Sequence, residues 1–424
     1  MTKIERALQE HKSTKIVIGN GFDLFCGLKT TYRDFFVFFQ HKYAKISKWI
    51  DEAVTRLYNN PDLKTDPWPL VVQFEYVDLI NCWDVYFAMI SDKSHDHRWC
   101  DIESEMLDSL SLRDSDVESE YKPHWENVWE SIIKDRMDEQ KAGSIIIAQF
   151  ILKKTQRQFM TKDEFYEYLL KELREFESHF GSFIIKQHVV KNQFLEDYNL
   201  PYIRKAHSLF EQFCEPGFIS SIDCFNYAFT PESKFYERCR FINGNCLNPI
   251  FGVDSVFDPS DARYIFTKTN RRLEWWMDKK ITIRTDDFEN VIVFGHSLSQ
   301  HDYNYFFPIL DQLEMTDFGS TKKFIIAYSV YDEQRSAGIK KEIRKSIYSL
   351  FFAYAEYCGK GNQAARLLDS LTTQGRVRMF EVEKLPEPTK FFSRVDETYQ
   401  KELSDKEIAD RWANYLKYGE DLFL

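Results

Sequence analysis

The sequence contains no long apolar run and no cysteine motif, and both absences limit the class of protein. No uncharged apolar stretch approaches the ~20 residues that a membrane-spanning helix needs, and the opening segment, MTKIERALQE, lacks the apolar core of a signal peptide. The eight cysteines include no CxxC pair and no Cys/His spacing typical of zinc sites. We therefore expect a cytoplasmic protein in a reducing compartment, with no membrane partner and no bound metal.

Positive charge is also scarce relative to negative charge. Lys and Arg number 56 against 67 Asp and Glu, which gives a net charge of -11 and a pI near 5.5. Proteins that bind nucleic acid through its phosphates usually carry a basic surface, so nucleic acid is not an expected partner. Arg271 and Arg272 form one of the few basic clusters, and we interpret them as a solvated helix face.

Glycine and proline are sparse between residues 31 and 210, apart from one loop at 59–70. The segment TKDEFYEYLLKELREFESHFGSFI within this interval places apolar side chains at a 3.6-residue period, which predicts an amphipathic helix. We therefore predict a helical insertion over 31–210, a core domain formed by 1–30 and 211–390, and a C-terminal helical tail over 391–424. A chain of 424 residues is long enough for such a division.

Short apolar runs that end in glycine or polar residues mark both ends of the chain. They are KIVIG (15–19), FISSIDCFNY (218–227), RFING (240–244), NVIVFG (290–295), KKFIIAYS (322–329) and RVRMFEV (376–382). Most are followed by a helical pattern, and alternating strands and helices are typical of a parallel sheet covered on both faces. The sequence thus predicts an α/β, Rossmann-like fold with a mostly parallel sheet flanked by helices, and a large all-helical insertion after the first strand.

The first apolar run ends in a cluster of small and polar residues. They are Gly19, Asn20, Gly21, Phe22 and Asp23. Open α/β sheets bind ligands beyond the carboxyl ends of their strands, and glycine lets the backbone approach a phosphate group closely. The spacing is not GxGxxG, so a tight turn between strand and helix, with Asp23 as the helix cap, is an equal alternative.

Later apolar runs also lead into polar residues. These are Gly295, His296, Ser297 and Asp302 after the fourth run, and Asn226, Tyr227, Asn243 and Gly244 after the second and third. If the first and fourth strands are neighbours, their polar residues converge on one crevice, with Asp23 and His296 among them. No GxSxG elbow surrounds Ser297, which disfavours a nucleophilic serine.

An acidic pair, Asp101 and Glu103, lies within the predicted insertion. Residues two apart on a helix do not share a face, so surface exposure is the simpler interpretation of the pair. In an irregular segment both carboxylates can point inward, where together with Asp23 and Asp302 they would hold Mg²⁺ for phosphodiester cleavage. A metal-dependent nuclease is therefore one hypothesis, although the lack of a basic substrate track disfavours it.

Several segments together form a pattern along the chain. In order, they are IVIGNGFDLFCGLKTTYRDF, WCDIE, FNYAFT, FINGN, FGVDS, FTKTNRR and VFGHSLSQHDYNYF. In this order they resemble segments of the AbiH family of bacterial abortive-infection proteins, which act against phage. The resemblance extends from about residue 15 to about residue 310, and its specific part is the combination of GNGFD with GHSLSxxDY. AbiH proteins are in turn distantly similar to sirtuin-like domains, which bind NAD on a Rossmann-like sheet and, in defence proteins, hydrolyse it.

The resemblance implies roles for particular residues. It places Gly19, Asn20, Gly21, Phe22 and Asp23 beside the nucleotide, and it places Gly295, His296, Ser297 and Asp302 on the opposite rim. Asn226 takes the position of the asparagine that orients the attacking water. Tyr227 and Gly244 accompany these residues at the strand ends.

One departure from the family pattern bears on catalysis. The usual Ile-His-Gly reads Ile242-Asn243-Gly244 here, and an amide cannot accept a proton at neutral pH. The general base is then His296, Asp23 or a carboxylate of the Asp101 and Glu103 pair. Otherwise the protein binds a nucleotide without cleaving it.

Three functions remain open on these grounds. The first is an abortive-infection effector, set off by a phage-derived trigger, that hydrolyses NAD or a related nucleotide at its N-glycosidic bond. The second is a non-catalytic nucleotide sensor or partner-binding protein, and the third is the metal-dependent nuclease. NAD is the expected ligand, and the predicted insertion is long enough to carry a homo-oligomer interface.

Overall fold

The structure is a computed structural model of the chain. It describes residues 12–39, 46, 48, 81–84, 87, 106, 162–192, 201–229, 238–253, 257–258, 260–277, 287–330 and 336–382. The chain divides into two compact units, of which the first comprises Met1–Thr30, Ile184–Leu247 and Lys279–Leu424, and the second comprises Thr31–Phe183 and Asn248–Asp278.

Strands and helices alternate along much of the described chain. The strands are β1 (Thr14–Ile18), β2 (Ile219–Cys224), β3 (Cys239–Phe241), β4 (Gly244–Asn245), β5 (Asn248–Pro249), β6 (Asn290–Phe294), β7 (Lys323–Tyr328) and β8 (Val377–Glu381). The helices are α1 (Asn20–Phe25), α2 (Tyr32–Phe38), α3 (Lys162–Asn192), α4 (Pro201–Phe213), α5 (Lys268–Met277), α6 (Tyr303–Gln312), α7 (Ser336–Tyr357) and α8 (Ala364–Thr373).

The first unit contains a six-stranded sheet in the order β3-β2-β1-β6-β7-β8. Each neighbouring pair of these strands is parallel. β1 and β6 are buried along their whole length, as expected for central strands of a sheet covered by helices. The predicted parallel, Rossmann-like α/β sheet is therefore confirmed.

β1 lies in the middle of the sheet, and the strand order changes direction there. β2, the next of these strands along the chain, pairs with one edge of β1. β6 pairs with the other edge, which brings Ile18 opposite Phe294. The carboxyl ends of β1 and β6 therefore lie side by side at a topological switch point, where open α/β sheets bind ligands.

Side chains on the two faces of the sheet belong to different apolar cores. On one face Val17 packs in a cluster with Phe306 of α6 and Phe351 of α7. On the other face Phe294 contacts Phe213 of α4, with ring centroids 5.5 Å apart. Each such side chain contributes about 1.5–3 kcal/mol when it is removed fully from water, so these helices fix the strands whose ends form the site.

The second unit has its own aromatic core and a buried ion pair. The rings of Phe35 on α2 and Phe176 on α3 pack 5.5 Å apart. The carboxylate of Glu177 accepts the N–H of Phe251 at 2.6 Å and pairs with the Arg271 guanidinium at 2.8 Å. Because Arg271 is only 5% exposed, the prediction that it belongs to a solvated helix face is wrong.

The predicted insertion over 31–210 is described only in part. Its described residues are mostly helical and belong largely to α2, α3 and α4. The remainder lies outside the described residues, so the all-helical insertion and its boundaries with 1–30 and 211–390 stay predictions, as does the helical tail over 391–424. Among the helices that the structure describes, none combines the length and the apolar character needed to cross a membrane.

Candidate functional site

Two loops meet where β1 and β6 end, and backbone hydrogen bonds join them. The N–H of Gly19 donates to the carbonyl of Phe294 at 3.0 Å, and the N–H of Gly21 donates to the carbonyl of Gly295 at 2.8 Å. A Cβ on Gly19 or Gly21 would lie 2.6 Å or 2.7 Å from backbone atoms of Gly295, and Gly295 itself has a φ of +67°. Close contact between the loops therefore explains why all three residues are glycine.

Asn20 and Phe22 have opposite environments within this first loop. Asn20 is exposed, and its Oδ1 accepts a hydrogen bond from the Thr30 hydroxyl at 2.6 Å. Phe22 is fully buried, with its ring centroid 5.4 Å from that of Phe210 and 5.5 Å from that of Phe229. Phe22 thus anchors the loop in the core, whereas Asn20 is accessible to solvent.

Asp23 is a fully buried carboxyl group on α1. The Tyr202 hydroxyl, on α4, donates to its Oδ1 at 2.6 Å. Burial raises the pKa of Asp23 from 3.8 to about 7, although the Tyr202 hydroxyl, and after it the nearby Asn226 side chain and Ala228 backbone, lower it in part. Asp23 can therefore exchange a proton near neutral pH. The helix-cap alternative is wrong, because Gly19 occupies the cap position and Asp23 lies inside the helix.

Asn226 lies just beyond the end of β2 and is only 1% exposed. Within the described residues, neither its amide nitrogen nor its amide oxygen completes a hydrogen bond, and the same is true of Oδ2 of Asp23. A buried polar group without a partner costs about 1–3 kcal/mol, which proteins rarely tolerate without a reason. The Asn226 amide and the Asp23 carboxyl are therefore suited to a polar ligand or to water at the carboxyl ends of β1 and β2.

His296 is held by its own loop and by neighbouring aromatic rings. Its Nδ1 accepts the N–H of Leu298 at 2.9 Å, and its Nε2 lies 3.5 Å from the Asp302 carboxylate. The imidazole centroid is 4.4 Å from the ring of Phe225 and 5.1 Å from that of Phe306. Because Nδ1 accepts, the neutral ring carries its proton on Nε2, toward Asp302. The geometry thus orients the imidazole, and the role of His296 as general base stays a prediction.

The remaining predicted residues follow the ends of β2, β3 and β6. Ser297 is exposed and Tyr227 is half-buried. Asn243 is buried, and its amide donates to the Phe225 carbonyl at 3.4 Å, so it ties the turn after β3 to the segment after β2. Gly244 has a φ of +76°, a left-handed conformation that favours glycine.

Asp101 and Glu103 lie outside the described residues, so their catalytic role and the nuclease hypothesis stay predictions. In the part of the chain that the structure describes, no group of three or more His, Cys, Asp or Glu side chains could hold a metal ion.

Sequence patterns did not single out Tyr202 or the buried carboxylate Asp223 on β2. Asp223 pairs with Lys15 of β1 at 3.0 Å and with Arg240 of β3 at 2.6 Å, and it accepts a hydrogen bond from the Tyr305 hydroxyl. Burial alone would raise the pKa of Asp223, but Lys15 and Arg240 overcome this effect and lower the pKa. One signal in the sequence could have revealed this ion pair. Lys15 is the single charged residue of β1, and Asp223 is the single charged residue of β2.

Comparison with protein families agrees with the motif order. The family model described as Bacteriophage abortive infection AbiH matches residues 16–321, which is more than half of the chain. The matched interval includes both loops that meet at the switch point. No curated protein and no solved structure matches the chain. The distant similarity to sirtuin-like domains stays a prediction.

Proposed function

Because the chain belongs to the AbiH family of bacteriophage abortive-infection proteins, we propose that it acts in phage defence by hydrolysing NAD or a related nucleotide at the N-glycosidic bond. Family membership carries the role in abortive infection. The reaction, its substrate and the residues that perform it are our proposal, and they rest on the chemistry of Asp23 and Asn226.

The observation that carries the proposal is the pair of buried polar groups beyond β1 and β2. Asp23 and Asn226 adjoin each other, and atoms of both have unused hydrogen-bonding capacity within the described residues. They lie at the edge of the sheet where parallel α/β folds bind nucleotides. A titratable buried carboxyl beside a buried amide is a combination that positions and deprotonates a water molecule.

The reaction assigns each group a defined task. As the bond between C1′ of the ribose and the nicotinamide nitrogen breaks, its electron pair leaves with nicotinamide and positive charge develops on the ribose. Water then adds to C1′ and transfers one proton to the Asp23 carboxylate, while the Asn226 amide orients that water. With a pKa of about 7, a large fraction of Asp23 is in the carboxylate form at neutral pH.

Burial of both groups makes access part of the proposal. Asp23 is fully buried and Asn226 is 1% exposed, so the nucleotide can reach them only when covering residues move. This movement would suit a defence protein that acts only during infection. A phage-derived trigger would then favour the conformation in which Asp23 and Asn226 are accessible. We therefore expect nicotinamide release to depend on infected-cell extract.

The test is nicotinamide release from NAD by the purified full chain, with and without extract of phage-infected cells. We expect Asp23→Asn to lower release by about 100-fold or more, the range typical for loss of a general base, and Asn226→Ala to lower it as well. Asp369→Asn and Asn362→Ala are matched controls, because both residues are exposed and lie on or beside α8. Absence of release from wild type under every condition would overturn the proposal.

A second candidate function is a nucleotide sensor that does not cleave its ligand. Asn243 favours it, because an amide replaces the expected histidine and already donates to the Phe225 carbonyl. Calorimetry with NAD and ADP-ribose separates the two functions. Tight binding of either nucleotide to wild type, weakened in Asn226→Ala and without nicotinamide release, would support the sensor and not the hydrolase.

A further inference from the structure

The Tyr202 hydroxyl makes a contact that apolar packing of the Tyr202 ring does not require. It is 1% exposed, and its ring meets that of Phe22 edge to face with centroids 6.4 Å apart. Its hydroxyl could be satisfied by any backbone carbonyl, as in many buried tyrosines. Instead it donates to Oδ1 of Asp23 at 2.6 Å, which links α4 to α1 at the carboxyl edge of the sheet.

We infer that Tyr202 is a positioning residue of this site, whose hydroxyl holds one oxygen of Asp23 and leaves the other oxygen for the reacting water. The inference rests on the proposed function for the role of that water. The two carboxyl oxygens of Asp23 differ in their contacts. Oδ1 accepts the Tyr202 hydroxyl, whereas Oδ2 makes no hydrogen bond within the described residues.

The surroundings of Asp23 let its titration be observed without interference. Among the described residues, the other titratable groups that interact with it are Tyr202 on α4, Cys26 on α1, Cys224 on β2 and Cys246 after β4. Burial raises the pKa of each of them, to about 12 for Cys246, so all four keep their protons at neutral pH. Lys205 lies near Cys26 and offsets part of the rise in the Cys26 pKa. Asp23 is therefore the member of this cluster that changes charge between pH 4 and pH 8.

Tyr202→Phe removes the hydroxyl and retains the ring. A hydrogen bond to the charged form of a carboxyl favours that form, and Tyr202 lowers the pKa of Asp23. Its loss should move the titration of Asp23 to higher pH by roughly one unit. 3-Fluorotyrosine placed at position 202 retains the hydroxyl and makes it a stronger donor, so it should move the titration to lower pH.

The experiment measures the pH dependence of unfolding in urea for wild type and both position-202 variants. In each background the Asp23 contribution is isolated by subtracting the same measurement for Asp23→Asn. Tyr354→Phe is the matched control, because Tyr354 is also buried and its hydroxyl donates to a carboxylate, Asp311, at 2.7 Å. The pH profile of nicotinamide release is recorded in parallel for every variant.

Opposite shifts for the two position-202 variants, with none for Tyr354→Phe, would establish the positioning role. An Asp23 titration that stays in place in both variants would overturn it, whether or not NAD is cleaved. If Tyr202→Phe does not fold, the fluorinated variant still gives a decision through the direction of its shift. Failure of wild type to release nicotinamide would overturn the proposed function alone, since the unfolding measurement needs no substrate.

Discussion

Asp23 is a carboxyl group that the fold keeps out of water, with consequences for stability as well as for chemistry. Its folded pKa is about 7, against 3.8 for an unperturbed aspartate. The folded state therefore binds a proton more tightly than the unfolded state does. The resulting stabilisation is complete below pH 4 and is lost as the pH rises through 7, by an amount on the order of 4 kcal/mol.

Asp23→Asn should remove this pH dependence, because the amide stays uncharged throughout. We expect the variant to be more stable than wild type at pH 8 and to lose that advantage at pH 5, as measured by urea unfolding at both values. Asp369→Asn, an exposed aspartate on α8, should follow wild type at both. A constant difference between Asp23→Asn and wild type across this range would contradict the buried, titrating state of Asp23.

At the scale of elements, the ends of β1 and β6 depend on three glycines for their contact. Gly295 combines a φ of +67° with the closest approach, since a Cβ there would lie 2.3 Å from the backbone nitrogen of Phe22. Residues with a side chain rarely adopt that backbone conformation, and the neighbouring backbone has little freedom to move away. The requirement for glycine therefore comes from the two loops rather than from a ligand.

Gly295→Ala should destabilise the protein by at least about 2 kcal/mol, through strain and displacement of α1. Chemical unfolding measures this effect. Gly338→Ala is the control with the opposite sign, because Gly338 lies in α7 with open space around it, and alanine should stabilise that helix by about 0.4–1 kcal/mol. Equal effects of the two substitutions would contradict the close contact between the loops.

At the scale of the molecule, each compact unit contains a buried ion pair of its own. Asp223 joins Lys15 and Arg240 across three strands of the sheet, whereas Glu177 joins Arg271 in the second unit. Removal of one partner leaves an uncompensated buried charge, which costs about 3–5 kcal/mol. Each pair should therefore protect its own unit against local opening.

Hydrogen exchange of the backbone amides tests whether each ion pair protects only its own unit. Asp223→Asn should accelerate exchange most in β1 and β2, and Glu177→Gln should accelerate it most around α3 and Phe251. Asp317→Asn, on the surface of the first unit, should leave both regions unchanged. A variant that accelerates exchange equally in both units would show that they do not open separately.

The sequence predicted the sheet well, because strands buried on both faces are continuous apolar runs. KIVIG and NVIVFG became β1 and β6, and the two strands are neighbours, which is the condition that the sequence left open. The interpretation of the basic pair failed at Arg271, since no pattern along the chain reveals that Glu177 lies beside it. A charged residue on a helix has the same appearance whether its partner is water or a buried carboxylate.

The sequence singled out Asp23 and Asn226 but did not predict the contacts around them. The motif order and the positions of the strand ends indicated Asp23 and Asn226, and these two residues adjoin each other. Tyr202 could not be identified, because one tyrosine on an amphipathic helix carries no sign of what its hydroxyl contacts. The sequence also did not show why residues 19 and 295 are glycine. Close approach of a ligand and close approach of a second loop both require a residue without a side chain.

The central position of β1 has a consequence for biosynthesis. β1 begins at Thr14, whereas its two neighbours begin at Ile219 and Asn290. At roughly 5–20 residues per second, a ribosome takes ~10–40 s to reach β2 after making β1. During this interval β1 is an unpaired apolar strand, a segment for which chaperones compete with aggregation. The Gly19 loop gains its partner only when Gly295 has left the ribosome, so the carboxyl ends of β1 and β6 meet late in synthesis.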